Sequence, residues 1–132
     1  MKVDGSAETD TKWIAINHEA SSLLDVIVHD KFTPTNTTKS KWQSLIKGSS
    51  LQENCNKEGF NIHGGRNDRK MYVRIGIVAN DNWYCDSCNS CIGFGTSVTG
   101  CDGKVRFMSC GNIHACYSTY KNTATFGYIL IQ

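Results

Sequence analysis

The residues best suited to chemistry in this sequence are cysteines and oxygen-bearing side chains, and they lie in one segment. Six of the seven cysteines fall within Cys85–Cys116. Disulfides can fix the shape of irregular loops that lack a hydrophobic core of their own. The same segment contains four oxygen-bearing side chains, Asp86, Asn89, Asp102 and Asn112. This composition predicts a binding site on loops held by disulfides, which is more typical of a secreted recognition domain than of a cytosolic enzyme.

Calcium is the metal that best suits these four side chains. It takes about six to eight oxygen ligands from carboxylates, amide carbonyls, backbone carbonyls and water. The four side chains supply part of that set, and glycine-rich backbone and water supply the rest. Only two of the four are carboxylates, so the affinity would suit the concentration of extracellular calcium. The alternative, that these Asp and Asn residues cap turns by bonding nearby backbone, stays open at the level of sequence.

Two other uses of the cysteines fit the pattern less well. Zinc prefers sulfur and nitrogen ligands, and the chain offers such a set in Cys85, Cys88, Cys91, His114 and Cys116. Their overlapping Cys-x-x-Cys spacing differs from the paired spacing of a zinc ribbon. A nucleophilic enzyme needs a cysteine or serine in contact with a histidine base, and no local signature of a known protease accompanies His114. We therefore expect neither a zinc site nor an enzyme.

Aromatic side chains flank the cysteine-rich segment and suit sugar recognition. A sugar site combines a few fixed polar groups with an aromatic face that covers the C–H surface of the ring. The residues in position to form this wall are Trp83, Tyr84, Tyr117 and Tyr120. Ordinary packing in the core is an equally good explanation for Trp83 and Tyr84 taken singly.

The bulk composition limits the partners and the location. Lys plus Arg number 14 and Asp plus Glu 12, a net charge of +2, which is too balanced to indicate nucleic acid or an anionic membrane as the partner. The apolar runs are far too short to span a membrane. Seven cysteines in 132 residues indicate an oxidising compartment, and hence secretion. Because seven is odd, we expect that one thiol stays free, joins two copies in a disulfide-linked homodimer, or has its partner in a missing segment.

Short helices are predicted in the first half of the chain. Ser22 precedes an apolar run from Leu23, as an N-cap precedes a helix. Three further apolar residues have helical spacing, with Gly48 as the expected stop. They are Trp42, Leu45 and Ile46.

Three strands are predicted from β-branched residues and period-two alternation. They cover Lys12–Asn17, Met71–Ala79 and Phe126–Gln132. In the second strand, Val73, Ile75 and Ile77 should share one buried face. The third is apolar on both faces, which predicts a central position in a sheet. Between the last two we predict a long loop region, interrupted only by a short strand at Lys104–Met108.

The chain also carries a series of motifs in a specific order. They are Asn54-Cys55-Asn-Lys-Glu-Gly-Phe-Asn61, Arg74-Ile-Gly-Ile-Val78, Cys85-Asp-Ser-Cys88, Ile92-Gly-Phe-Gly95, Cys110-Gly-Asn112 and Gly127-Tyr-Ile-Leu-Ile-Gln132. The series resembles fibrinogen-related secreted proteins of marine invertebrates. It also resembles the C-terminal half of the intelectins, which are calcium-dependent lectins with a fibrinogen-like fold.

The resemblance to intelectins implies a set of calcium ligands. In that family a Cys-x5-Cys-Ile-Gly segment carries ligands between its cysteines, and Asp86 and Asn89 lie at those positions here. Cys88 stands where the family has a glutamate. The Cys-Gly-Asn motif implies Asn112 as a further ligand, and Asp102 is a looser match to an acidic residue in the preceding loop.

The resemblance implies sugar contacts as well. A tyrosine shortly before the last strand helps to hold the sugar in intelectins, and Tyr117 is its counterpart here. His114 is a second contact, as a hydrogen-bond partner for a hydroxyl group. Asn89 completes the predicted ligand-binding set.

The sequence as a whole predicts one domain over residues 1–132. Its predicted class is α+β, a loop-rich, disulfide-stabilised, fibrinogen-like (intelectin-like) domain with a small antiparallel sheet and one or two short helices. The predicted function is that of a secreted, calcium-assisted lectin that recognises glycan hydroxyls through the loops of Cys85–Tyr117. The alternative is a non-catalytic extracellular matrix or adhesive structural protein.

Overall fold

The computed structural model of the chain describes residues 2–4, 12–65, 70–114 and 122–132, and its description of side chains does not extend to 2–4, 108–110 and 112–114. Two short helices precede most of the strands. They are α1 (Leu23–Val28) and α2 (Lys39–Ser44). The strands, in chain order, are β1 (Lys2–Asp4), β2 (Lys12–Trp13), β3 (Asn54–Gly64), β4 (Met71–Asn80), β5 (Ser90–Thr99), β6 (Val105–His114), β7 (Thr123–Ala124) and β8 (Phe126–Tyr128).

The strands form two antiparallel sheets. The larger has five strands in the order β3-β4-β5-β6-β7, so each strand lies beside its neighbour in sequence. The smaller has three strands in the order β2-β1-β8. The predicted α+β class, with a small antiparallel sheet, two short helices and a disulfide, is confirmed. Among the described residues, no helix combines the length and the apolar character that crossing a membrane requires.

The two helices form as local sequence signals predict. The hydroxyl oxygen of Ser22 accepts a hydrogen bond from the backbone N–H of Asp25 at 3.0 Å, as an N-cap of α1 should. Helix α2 ends earlier than expected, but its Trp42 and the following Leu45 and Ile46 are all buried against the larger sheet. The helices therefore cover one part of the sheet with apolar side chains.

Two apolar clusters pack on the larger sheet. One contains side chains from the helices and from the middle of the sheet, chiefly Ile14, Trp42, Leu45, Ile46, Leu51, Phe60, Ile75, Ile77 and Ile92. The other contains three cysteines and five further side chains, namely Cys55, Ile62, Met71, Val73, Val78, Cys88, Cys91 and Val98. Because β4 and β5 contribute to both clusters, these strands are covered on both faces.

The prediction that Val73, Ile75 and Ile77 of β4 share one face is wrong. Val73 belongs to the second cluster, whereas Ile75 and Ile77 belong to the first, so the three do not share a face. The alternation is interrupted beside Arg74, where the neighbouring strands carry Asn61 and Gly95. Both of these residues have a left-handed backbone, with φ of 50° and 59°.

A row of glycines crosses the sheet next to this interruption. Gly59 pairs with Gly76, Gly76 with Gly93, and Gly93 with Gly111. A Cβ on Gly76 would lie 2.1 Å from the carbonyl oxygen of Ile92 and 2.7 Å from a methyl group of Val73. The glycines therefore make room for close backbone approach and for the displaced Val73 side chain.

The prediction of a long loop region after β4 is wrong. Residues Ser90–Thr99 form the ten-residue strand β5, and β6 extends well beyond the short strand predicted at Lys104–Met108. A strand covered on both faces does not need to alternate between polar and apolar residues. Its Gly93 and Gly95 indicated a loop, but Gly93 allows the backbone of β4 to approach closely and Gly95 leaves room for the side chain of Arg74.

The strands predicted at the two ends of the chain are also corrected. Only Phe126–Tyr128 of the C-terminal apolar run is a strand, and it lies at the edge of the smaller sheet instead of its centre. The following Ile129, Leu130 and Ile131 are exposed. Near the other end, only Lys12 and Trp13 of the predicted strand are in β2. Apolar composition alone does not distinguish an exposed segment from a buried one.

Candidate functional site

The segment between β4 and β5, residues 81–89, is the candidate functional site and is called the 81–89 loop below. Its shape depends on Asn80, the last residue of β4, whose side chain is buried. The amide nitrogen of Asn80 lies within hydrogen-bond distance of the Oδ1 of Asn82, the carbonyl oxygen of Tyr84 and the hydroxyl of Ser87, at 2.8–2.9 Å. Its oxygen accepts a hydrogen bond from the N–H of Asp81 at 3.0 Å.

Further bonds tie both ends of the loop to the sheet. Cys85 is joined by a disulfide to Cys55 on β3. At the start of the loop, the side chain of Asn54 donates to the carbonyl oxygen of Asp81 at 2.8 Å. At its end, the N–H of Asn89 donates to the carbonyl oxygen of Ala79 at 3.1 Å. The loop therefore has a defined shape in spite of containing only one short 3-10 turn, Cys85–Ser87.

Two aromatic side chains project from this loop into solvent. Trp83 is 80% exposed and Tyr84 is 69% exposed. Ordinary packing in the core, the other explanation for these residues, does not account for them. The backbone beneath them is fixed, because the N–H of Tyr84 donates to Asn82 and its carbonyl accepts from Asn80. Adjacent exposed aromatics on a fixed backbone form a preorganised apolar surface.

Two of the predicted calcium ligands lie in the same loop. Asp86 is exposed within the 3-10 turn. Asn89 is half-buried, and its side-chain oxygen is buried with no hydrogen-bond partner among the described residues. A buried carbonyl oxygen without a donor is costly, so this atom has an unused capacity to accept a hydrogen bond or a cation.

Asp102 is not brought together with Asp86 and Asn89. It lies in the turn between β5 and β6, whereas the 81–89 loop precedes the other end of β5. The ten residues of β5 span about 30 Å. Both carboxylate oxygens of Asp102 accept hydrogen bonds from Arg106, which holds the pKa of this carboxyl below its ordinary value. The four predicted ligands therefore do not gather in one place.

The remaining predicted contacts lie on or beyond β6. The backbone of Asn112 pairs with Ile92, and that of His114 pairs with Ser90, so both belong to the end of the sheet that is nearest the 81–89 loop. Their side chains are outside the described part of the structure. Tyr117, the predicted sugar contact, lies outside the described residues altogether.

Three cysteines meet beneath the loop. Their sulfur atoms all lie within 4.8 Å of one another, and they are Cys55, Cys85 and Cys88. Cys88 is a thiol, and its Sγ lies 3.1 Å from the Sγ of Cys55. Burial raises the pKa of Cys88 to about 12, an effect that nearby Lys57 reduces and Asp86 adds to. Cys101 is disulfide-bonded as well.

A groove of about 1030 Å³ lies elsewhere on the molecule. Its walls come from residues 13–23, from the sheet and from the C-terminal residues 129–132. Much of this lining, including Ile14, Phe60 and Ile75, also belongs to the first apolar cluster. Polar side chains such as Asn17, His18 and Glu19 line the groove as well, but none of the residues predicted to contact sugar or calcium lies in it.

The residues that shape the loop carry little signal in the sequence. Asn80 is not predicted as a site residue because its partners Asn82, Tyr84 and Ser87 follow it without a recognisable motif. Cys55 was recognised only as part of a family motif, although an isolated cysteine 30 residues before Cys85 is a candidate disulfide partner.

Comparison of the chain with models of protein families, with curated proteins and with solved structures found no match.

Proposed function

We propose that this chain is a secreted, non-catalytic carbohydrate-binding protein whose contact surface is the 81–89 loop. The observation that carries the proposal is the exposure of Trp83 and Tyr84 on a loop held by Asn80 and by the Cys55–Cys85 disulfide. Aromatic faces pack against the C–H surface of sugar rings. Little conformational entropy is lost when such a loop binds, because its backbone is already fixed.

Polar groups beside the aromatic pair support the same proposal. The exposed carboxylate of Asp86 lies two residues from Tyr84 and has the chemistry to accept hydrogen bonds from sugar hydroxyls. The side-chain oxygen of Asn89 also has no partner among the described residues, but it is buried, so a sugar reaches it only if the loop moves. Few polar groups beside an apolar face are the usual composition of a sugar site.

Calcium is a separate part of the proposal. Asp86 and Asn89 are the predicted ligands that share the 81–89 loop, and Asn112 lies on the strand that pairs with the start of β5. These two side chains in the loop offer at most three oxygens, far fewer than the roughly six to eight that calcium takes. The described residues therefore do not fit the predicted four-ligand site, and the proposed binding of sugar through Trp83 and Tyr84 does not require the ion.

A glycan array tests the proposal. The chain is expressed with its disulfides formed, labelled on lysine and applied to the array in calcium and, separately, in EDTA. We expect binding to a defined group of glycans that free glycan of the same structure competes away. Binding that survives EDTA would show that the protein binds glycan without calcium. If no binding that free glycan competes away is found in either condition, the lectin proposal is contradicted.

An adhesive or structural role in an extracellular matrix is the second candidate. The observation that favours it is the exposure of several apolar side chains outside the 81–89 loop, which include Phe107, Phe126, Leu130 and Ile131. Exposed apolar surface of this kind suits association with other proteins. Analytical ultracentrifugation over a range of concentrations tests it, and a monomer at all concentrations, with no binding to matrix polymers, would count against this role.

A further inference from the structure

The thiol of Cys88 lies against a disulfide. Its Sγ is 3.1 Å from the Sγ of Cys55, which is bonded to Cys85. Cys88 directly follows the turn that begins at Cys85, and its Sγ also lies 3.2 Å from the carbonyl oxygen of Cys85. Gly64 lines the same place, where a Cβ would lie 3.1 Å from the Cβ of Cys88.

We propose that Cys88 exchanges into the Cys55–Cys85 disulfide, and that Cys85 is then the site at which this chain forms mixed disulfides by reacting with small external disulfides. In the first step the thiolate of Cys88 attacks the Sγ of Cys55. A Cys55–Cys88 bond forms, the Cys55–Cys85 bond breaks, and its electron pair leaves on the Sγ of Cys85. The number of disulfides is unchanged, so this step needs no oxidant.

The accessibility of the three sulfurs explains why the exchange matters. Cys88 and Cys55 are each 3% exposed, so an external reagent does not reach them in the folded chain. Cys85 is only half-buried, and it follows the exposed Tyr84. Exchange therefore converts an inaccessible thiol into an accessible one, which is the property that a site of mixed-disulfide formation needs.

The exchange also preserves the cross-link that holds the sheet. Cys88 lies two residues before β5, so a Cys55–Cys88 disulfide still joins the segment before β5 to β3. What changes is the attachment of residues 81–87, which lose their own covalent tie. The exchange thus removes one of the two ties that hold the glycan-binding loop, but it does not rest on glycan binding and is tested without it.

The second step consumes a small disulfide. The thiolate of Cys85 attacks oxidised glutathione, forms a mixed disulfide and releases one reduced glutathione. A second copy of this chain can then displace the remaining glutathione through its own Cys85 thiolate and form a Cys85–Cys85 dimer. This places the homodimer predicted from the odd number of cysteines at a particular residue.

Peptide mapping tests the proposal. The folded chain, never exposed to reductant, is incubated with oxidised glutathione, quenched in acid, alkylated and digested without reduction. We expect glutathione on Cys85 together with a Cys55–Cys88 cross-link. In Cys88→Ser, which removes the nucleophile and keeps a side chain of similar size, we expect Cys85 to stay bonded to Cys55 and to carry no glutathione.

Several outcomes would overturn the proposal. They are glutathione on Cys88 with the Cys55–Cys85 bond intact, glutathione on Cys55 with a Cys85–Cys88 cross-link, glutathione on Cys85 in Cys88→Ser, and no adduct at any of the three cysteines. Should Cys88→Ser fail to fold, Cys88→Ala replaces it, and the map of the unchanged chain decides the matter by itself.

Discussion

The amide nitrogen of Asn80 lies 2.9 Å from the hydroxyl oxygen of Ser87, although seven residues separate the two along the chain. The same nitrogen reaches Asn82 and the backbone of Tyr84, so one buried side chain organises most of the 81–89 loop. These bonds hold the backbone beneath Trp83 and Tyr84 in one conformation, although the loop contains only one short 3-10 turn.

The first prediction concerns Asn80. Replacing it with Ala leaves several loop groups without partners, and each lost buried hydrogen bond costs about 1–3 kcal/mol. We expect Asn80→Ala to lower the free energy of unfolding by about 2 kcal/mol or more and to weaken glycan binding. The control is Asn54→Ala, which removes one exposed bond to Asp81. Equal stability of the two variants in urea denaturation would contradict the role given to Asn80.

The second prediction concerns the row of glycines. A Cβ on Gly93 would lie 2.3 Å from the carbonyl oxygen of Ile75, a contact that rigid backbone cannot relieve. We expect Gly93→Ala to lose about 4 kcal/mol or more of stability, or not to fold. Gly103 is the control, because it has positive φ but open space around it, and its replacement by Ala should cost about 1 kcal/mol. Non-reducing denaturation measures both, and a tolerated Gly93→Ala would refute the packing described for this row.

The third prediction is a pH dependence of the proposed exchange. Burial disfavours the thiolate and raises the pKa of Cys88 to about 12, so only a small fraction of this group is ionised at neutral pH. The thiolate fraction rises about tenfold for each pH unit below that value. With oxidised glutathione in excess, so that the exchange step limits the rate, the initial rate of glutathione incorporation at Cys85 should therefore rise about tenfold from pH 7 to 8 and again from 8 to 9. A rate that is flat across this range would exclude Cys88 as the attacking group.

The charges that face Cys88 give a fourth prediction. Lys57 lowers its pKa and Asp86 raises it. Lys57→Gln should raise the pKa further and slow the exchange by a factor of about three, as expected for losing one charge near a partly buried group. Lys104→Gln, in the distant turn between β5 and β6, should leave the rate unchanged. A larger effect from Lys104 than from Lys57 would contradict the assignment.

The fifth prediction separates the two carboxylates that were predicted to bind calcium. If calcium assists binding, Asp86→Asn should weaken the affinity for the ion about tenfold, since a carboxylate ligand carries much of the attraction. Asp102→Asn should not change it, because Asp102 lies at the other end of β5 and bonds to Arg106. Isothermal titration with calcium measures both variants. If Asp102→Asn weakened calcium binding as much as Asp86→Asn, the conclusion that these two carboxylates lie too far apart to share an ion would be wrong.

Local signals were predicted correctly and long-range arrangements were not. Ser22 caps α1 because an N-cap depends on residues within one turn. In contrast, Gly93 was predicted to lie in a loop. A glycine is needed there because the backbone of Ile75, on a neighbouring strand, leaves no room for a side chain, and local sequence does not reveal that contact. The alternation of Val73 with Ile75 failed because Asn61 and Gly95 on the adjacent strands have left-handed backbone.

The same distinction applies to the candidate site. The segment that contains the loop was located from its composition, since Cys85, Asp86 and Asn89 do lie together. Asp102 was predicted to bind the same ion because it lies among the cysteines in sequence. It lies in the turn between β5 and β6, at the other end of β5 from the 81–89 loop. Residues that flank an extended strand lie far apart, and the sequence predicted a loop where the structure has strand β5.

We propose that Trp83 and Tyr84 form the contact surface for glycan. The measurement that checks this is the dissociation constant of the glycan that binds most tightly on the array, for Trp83→Ala and Tyr84→Ala, with Phe107→Ala as the control. Phe107 is 79% exposed, so all three variants remove an exposed aromatic without opening the core. We predict at least a tenfold loss of affinity for each loop variant, since a stacked aromatic contributes about 1.5 kcal/mol, and no loss for Phe107→Ala. Unchanged affinity in both loop variants would show that Trp83 and Tyr84 do not form the contact surface for glycan.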